Sequence, residues 1–204
     1  MEIERIDSYT DIRFEQEVLF QHGGFIVDGK YPCAFKITGI NTAVVDYHDY
    51  ESVLPVIERF RFYSEHITDF YDKSGNCIAK FPAVLLKELP IEELQPSQFY
   101  ADEDKVSAVS RFVKSKQDVI IPVIFDKNMQ RYISLDGHTR MYYAYSHGFK
   151  SVYIFESESD IDIYGFVSEA QKRGVTKISD IKLLPHKQYE ICWNKFCDDY
   201  FAQK

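Results

Sequence analysis

The chain has 204 residues, 24 Lys plus Arg against 32 Asp plus Glu, and a formal net charge of −8; such a length holds one generous domain or two small ones. Hydrophobic residues at 45%, charged residues at 27%, and only 9 Gly and 7 Pro exclude collagen-like, low-complexity and disordered chains. The negative charge disfavours nonspecific nucleic-acid binding, because a polyanion meets net repulsion, and 16 Phe with 15 Tyr require a packed interior. Four cysteines without a C-x-x-C pair, no signal-like apolar stretch after Met1 and no run near 18 apolar residues predict a cytoplasmic chain that neither enters nor crosses a membrane.

In chain order, VLFQHGGFIV from Val18 to Val27, the Asp28-Gly29 turn and the alternating Tyr31, Cys33, Phe35 and Ile37 predict a β-hairpin. Thr42 to Tyr47 reads as a strand. Val53, Leu54, Ile57 and Phe60 then recur at helical spacing, with Pro55 placed in the first turn. A second hairpin turns at Asp72-Lys73-Ser74-Gly75 and ends near Phe81-Pro82. These elements predict a β-rich module over residues 1–85.

The following stretch reads as a loop at Gln95 to Tyr100, a helix over Asp102 to Lys116, an apolar strand from Val119 to Phe125 and a returning strand from Arg131 to Asp136. The DGHTR turn opens a helix carrying Met141 and Ala144, and Ser151 to Glu156 is again a strand. Residues 157–204 read as a helical extension, with one stripe through Ile163, Phe166, Val167 and Ala170 and another through Tyr189, Trp193, Phe196 and Tyr200. The fold class expected is α+β.

A strand that ends in Asp136-Gly137 and turns straight into a helix leaves backbone N–H groups directed at an anion. Gly137 permits the tight turn, Thr139 adds a hydroxyl and Arg140 adds a planar fork of donors. By spacing alone a capping arrangement is favoured instead, with Asp136 or Thr139 capping the helix and Arg140 paired to a carboxylate. His138 offers proton relay, phosphate contact or metal ligation; none of the six histidines has H-x-x-x-H or H-E-x-x-H spacing, so zinc is not expected. Arg111, Lys114 and Lys116 read as a solvated helix end. Glu156, Glu158, Asp160 and Asp162 read as a solvated acidic run, and Cys192 and Cys197 as thiols that do not share one helix face.

PSQFYADEDKVSAV, VIIPVIF and YISLDGHTRMYYAYSHGFKSVYIF, between Pro96 and Phe155, together resemble the ParB/sulfiredoxin-like domain, expected over residues 86–156, and the flanking segments resemble those of uncharacterised bacterial ParB-like proteins. The resemblance implies a nucleotide site at Gly137, His138, Thr139 and Arg140, joined by Gln98 from the P-x-Q loop. Partition proteins of that class bind CTP, free serine kinases use ADP or ATP, and sulfiredoxins use ATP. His138 stands where sulfiredoxins carry their catalytic Cys, which argues against sulfinic-acid reduction. No helix-turn-helix region follows the domain, which argues against partitioning.

The D-G-H-H-R turn of the serine kinases is similar to this one. It implies Mg2+-dependent phosphoryl transfer from a nucleoside di- or triphosphate to a small hydroxyl compound or water. Asp136 would contact Mg2+ or the acceptor, and His138 would position or protonate a phosphate oxygen. Glu103 would replace the catalytic Glu whose place Gln98 holds, its alternative being a first-turn acid that complements the helix dipole. The alternative function is a non-catalytic, nucleotide-gated module for a protein partner. Nuclease or DNA-binding activity ranks below both.

Overall fold

The computed structural model describes residues 1–159 and 161–202. The chain is of the α+β class and divides into two compact units, Met1–Val84 and Leu85–Lys204. The helical tail lies within the second unit. Its rings pack on the preceding part of that unit: Phe99 meets Trp193 at 4.9 Å and Phe196 at 5.0 Å between centroids.

The first unit is a six-stranded sheet in sequential order: β1 (Ile3–Arg5), β2 (Gly24–Val27), β3 (Tyr31–Ile37), β4 (Thr42–Asp46), β5 (Asp69–Tyr71) and β6 (Cys77–Lys80). All neighbours are antiparallel except β4 and β5, which are parallel because helix α2 (Tyr50–Arg61) carries the chain across between them. Phe25, Phe35, Phe60 and Phe70 fill the core, with Phe35 and Phe60 stacked at 4.3 Å and 5°. Burial of four such rings is the main source of this unit's stability.

Two local expectations are corrected. The segment before β2 is not strand throughout: Gln16–Phe20 forms helix α1, which buries Val18 and Leu19, and His22 at φ 54° turns the chain into β2. Pro55 is not in the first turn of α2, because Asp49 caps the helix a turn earlier by accepting the Ser52 N–H at 3.2 Å. Strand β1 lacks any turn signal in its sequence and exists because the edge of β2 pairs with it. Asp49→Ala should lower the stability of this unit by about 1 kcal/mol, measurable by urea unfolding; an unchanged midpoint would show that the cap contributes nothing.

The second unit is built on the sheet β10-β9-β11-β7, made of β7 (Lys87–Pro90), β9 (Ile120–Asp126), β10 (Arg131–Ser134) and β11 (Ser151–Glu156). β9 and β10 form an antiparallel hairpin, and β11 returns parallel to β9 after helix α4 (His138–Ser146). β9 is apolar along most of its length because both faces are covered. Ile121 and Val123 join Met141 and Ala144 of α4, while Ile124 sits with Ile133 against Ile163 and Val167 of α5 (Ile163–Lys172). A two-stranded parallel pair, β8 (Tyr100–Asp102) with β12 (Lys182–Leu184), ties the loop after β7 to the C-terminal segment.

Helix α3 spans only Glu103–Val109, not Asp102 to Lys116, because the backbone turns after Ser110 and Asp118 gathers the N–H groups of Lys114 and Ser115 at 2.9 and 2.8 Å. Arg111, Lys114 and Lys116 therefore lie beyond α3, and Lys116 pairs with Glu88 at 2.8 Å. After Pro185, α6 (His186–Tyr189), a π-helical turn and α7 (Lys195–Ala202) run on from one another. Cys192 is exposed, Cys197 half-buried, and both are free thiols. Of the acidic run, Asp160 lies outside the described residues. Among the described residues no helix is long and apolar enough to cross a membrane.

Candidate functional site

The turn at Asp136-Gly137 occurs because Leu135 still bonds across to the Pro122 carbonyl at 2.9 Å while α4 begins three residues later. Gly137 takes φ 79°, ψ 17°, a left-handed conformation that glycine adopts without the Cβ penalty. It is the N-cap of α4, and no side chain caps that helix. The capping roles considered for Asp136 and Thr139 are thus not taken up, and the first turn of α4 contains no acidic residue. A Cβ at Gly137 would fall 2.6 Å from Ile121 Cδ1 and 3.1 Å from Arg140 Nη2. The guanidinium therefore folds back over the turn, with Asp136 Oδ2 3.7 Å from Nη2. Asp136 is the exposed partner at 69% and Arg140 the sheltered one at 22%.

His138 lies elsewhere in character. Its ring is buried, and Nε2 accepts the Ser97 backbone N–H at 3.2 Å with Ser134 Oγ at 2.9 Å. Ser97 Oγ, 3.0 Å away, donates to the Ser134 carbonyl at 2.8 Å. A nitrogen that accepts an N–H carries no proton, so Nδ1 holds the ring hydrogen. Burial, outweighing the nearby Asp136 carboxylate, pushes the imidazole down to about 4. It is neutral at pH 7, and its Nε2 contacts make it a strut between α4 and the Pro96-Ser97-Gln98 loop.

Gln98, half-buried, donates through Nε2 to the Tyr100 carbonyl at 2.5 Å and to the Tyr189 hydroxyl at 3.2 Å. Burial first, then the Asp102, Cys197 and Asp136 side chains, pushes the Tyr189 phenol up. Glu103 sits exposed in the first turn of α3, in the dipole-complementing position.

Two residues not singled out by sequence reasoning flank this constellation. Asp102, with no exposed side-chain surface, caps α3 by accepting the Asp104 N–H at 2.9 Å and accepts from His186 Nδ1 at 2.8 Å through its other oxygen. Donor atoms of Asp102, Asp104 and His186 lie within 4.8 Å of one another. β8 packs on α4, and α6 packs on β8. No sequence spacing links positions 102 and 186; the signal present was a histidine directly after Pro185 at a helix start.

No protein-family model matches the chain, and no curated protein does. Among solved structures it is similar to the crystal structure of protein Atu1540 from Agrobacterium tumefaciens, with 18% identity and a TM-score of 0.34 over 48% of this chain. The chain spans 62% of that protein's length. Fold and geometry together define an α+β protein of two units, the second of which carries a glycine-started helix N-terminus overhung by an arginine.

Proposed function

We propose that the second unit is a ParB/sulfiredoxin-like domain that binds the phosphates of a nucleoside di- or triphosphate at the Gly137 turn and transfers the terminal phosphoryl group to a small hydroxyl compound or to water. One observation carries the reading: α4 begins at a left-handed glycine without a side-chain cap, and Arg140 lies over that same glycine. Backbone N–H groups and the helix dipole favour an anion there, and a guanidinium adds a bidentate donor pair. Thr139, half-buried in the first turn, is a further hydroxyl donor.

Mg2+ suits this donor set, since it takes oxygen ligands from one or two carboxylates plus the substrate's phosphates, and Asp136 presents an exposed carboxylate beside the turn. When bound, the ion neutralises charge on the phosphate oxygens. Arg140 and the N–H groups orient the phosphates. A nucleotide-gated module for a protein partner is the second reading. The observation that favours it is Gln98, whose amide bonds both Tyr100 and the helical tail and so couples the loop beside the turn to that tail.

A thermal-shift series with ATP, ADP, CTP and GTP, each with and without Mg2+, tests the site. Ligand at about 100 times its Kd should add about 2.7 kcal/mol, and Arg140→Ala should remove most of that gain for the same nucleotide. A nucleotide shift of equal size in Arg140→Ala would place the phosphates elsewhere.

A further inference from the structure

We infer that Tyr189 is a positioning residue for the nucleotide site: through Gln98 it holds the loop that braces the start of α4, so that docking of the helical tail and binding at the Gly137 turn are linked. The inference rests on the nucleotide reading above and adds the regulation of that same site.

Consecutive residues of one loop make the link. Ser97 donates its N–H to His138 Nε2 at 3.2 Å, one residue beyond the Gly137 cap. Gln98 donates through Nε2 to the Tyr189 hydroxyl at 3.2 Å. Phe99 packs edge-on against Trp193 and Phe196, at 4.9 and 5.0 Å between centroids. The loop therefore touches the first residue of α4 through Ser97 and the tail through Gln98 and Phe99.

The tail itself is lightly held. β12 fixes its near end by pairing with β8, but among the described residues from His186 to Ala202 Tyr189 is the one that is buried. Ile191 and Phe201 are exposed, and Trp193 stands half-buried in the π-helical turn Glu190–Asn194 between α6 and α7. A segment with so little buried surface opens at a lower free energy than the sheet of the same unit. Its docking is thus an equilibrium that a second site can bias, and the residue that anchors it is the one bonded to the loop.

An anion at the Gly137 turn fixes the first turn of α4 and, through His138 and Ser97, the loop on which the tail docks. A docked tail fixes the same loop before the anion arrives. Each event lowers the ordering cost of the other, and the coupling is reciprocal.

Trp193 is the single tryptophan of the chain, so its fluorescence reports the tail without a label. Acrylamide quenching of Trp193 and nucleotide affinity by thermal-shift titration are measured with ATP, ADP, CTP and GTP, each with Mg2+. The proteins are wild type, Tyr189→Phe, Arg140→Ala and, as a control on the exposed side of the tail, Ile191→Ala. Tyr189→Phe keeps the buried ring and removes only the hydroxyl, so the unit still folds. Saturating nucleotide should lower Trp193 quenching in wild type and in Ile191→Ala. Tyr189→Phe should raise quenching in the free protein and weaken binding of the same nucleotide by about 5-fold or more, the lower end of ordinary coupling. A tyrosine that only packed the tail would leave nucleotide affinity at the wild-type value.

A nucleotide-induced thermal shift without any change in Trp193 quenching overturns the link and leaves the nucleotide site standing. So does wild-type affinity in Tyr189→Phe, or an equal loss of affinity in Ile191→Ala. Absence of a thermal shift with every nucleotide overturns both readings. A thermal shift and a quenching change that persist undiminished in Arg140→Ala place the ligand away from the turn and overturn both as well.

Discussion

Replacing His138 with alanine should cost the second unit about 3 kcal/mol, read as a fall in the urea midpoint of its transition. The ring fills a buried position and satisfies the Ser97 N–H at 3.2 Å and Ser134 Oγ at 2.9 Å. Its removal leaves a cavity and strands a backbone donor, each costing about 1 to 3 kcal/mol.

The same ring gives wild type a pH signature. Burial depresses the folded imidazole to about 4 against 6.5 in the unfolded chain, so protonation favours unfolding throughout that interval. The stabilisation is present above about 6.5 and is lost as pH falls toward 4, a span of on the order of 3 kcal/mol. Between pH 6.5 and 5 few carboxylates titrate, so that half of the loss belongs mostly to histidine.

His186 contributes in the opposite sense. Its folded value is raised by Asp102, so its contribution is present below 6.5 and lost as pH rises through the folded value. Urea midpoints at half-unit steps from pH 7 to 5 should therefore fall steeply in wild type and much less in His138→Ala. Wild-type stability that stayed level over this range would mean a protonated ring, which is incompatible with a bond from the Ser97 N–H.

The second large effect lies in the first unit. Gly23→Ala should destabilise that unit by about 4 kcal/mol or more, because a Cβ at Gly23 would stand 2.0 Å from the Phe35 carbonyl oxygen and 3.0 Å from its carbon. The obstacle is backbone, not the tip of a flexible side chain. Gly23 O accepts the Phe35 N–H at 2.8 Å and Gly23 N donates to Val18 O at 2.8 Å, so the two chains are held at this approach. Relief would require β3 to move, and Phe35 anchors β3 in the aromatic core.

Gly29→Ala is the matched control: its φ of 67° strains an alanine, but nothing lies within 4 Å of the added carbon. That change should cost about 1 kcal/mol. Equal unfolding midpoints for the two variants would show that the close approach at Gly23 relaxes at little cost.

Local pattern made much of the second unit readable. The apolar run of β9, the return of β10, the Asp-Gly break and the amphipathic start of α4 are each coded within a few residues, and the α+β class follows from their order. The short helix α1 was hidden by its position inside an apolar stretch that reads as strand. The true end of α3 was hidden because Asp118, eight residues beyond the cap at Ser110, draws the intervening backbone away from the helix.

By itself the sequence determined β9, β10, α4 and β11 and the position, Gly137, where a turn opens a helix, since these depend on neighbours in the chain. Only the tertiary structure decided what the side chains there do. It buried His138 beneath the Ser97 loop and so made it neutral, and it aligned β12 with β8 and thereby set His186 against Asp102, 84 positions away. Burial and proximity between distant segments are properties of packing, and they govern protonation and hydrogen-bond partners, which local periodicity does not encode.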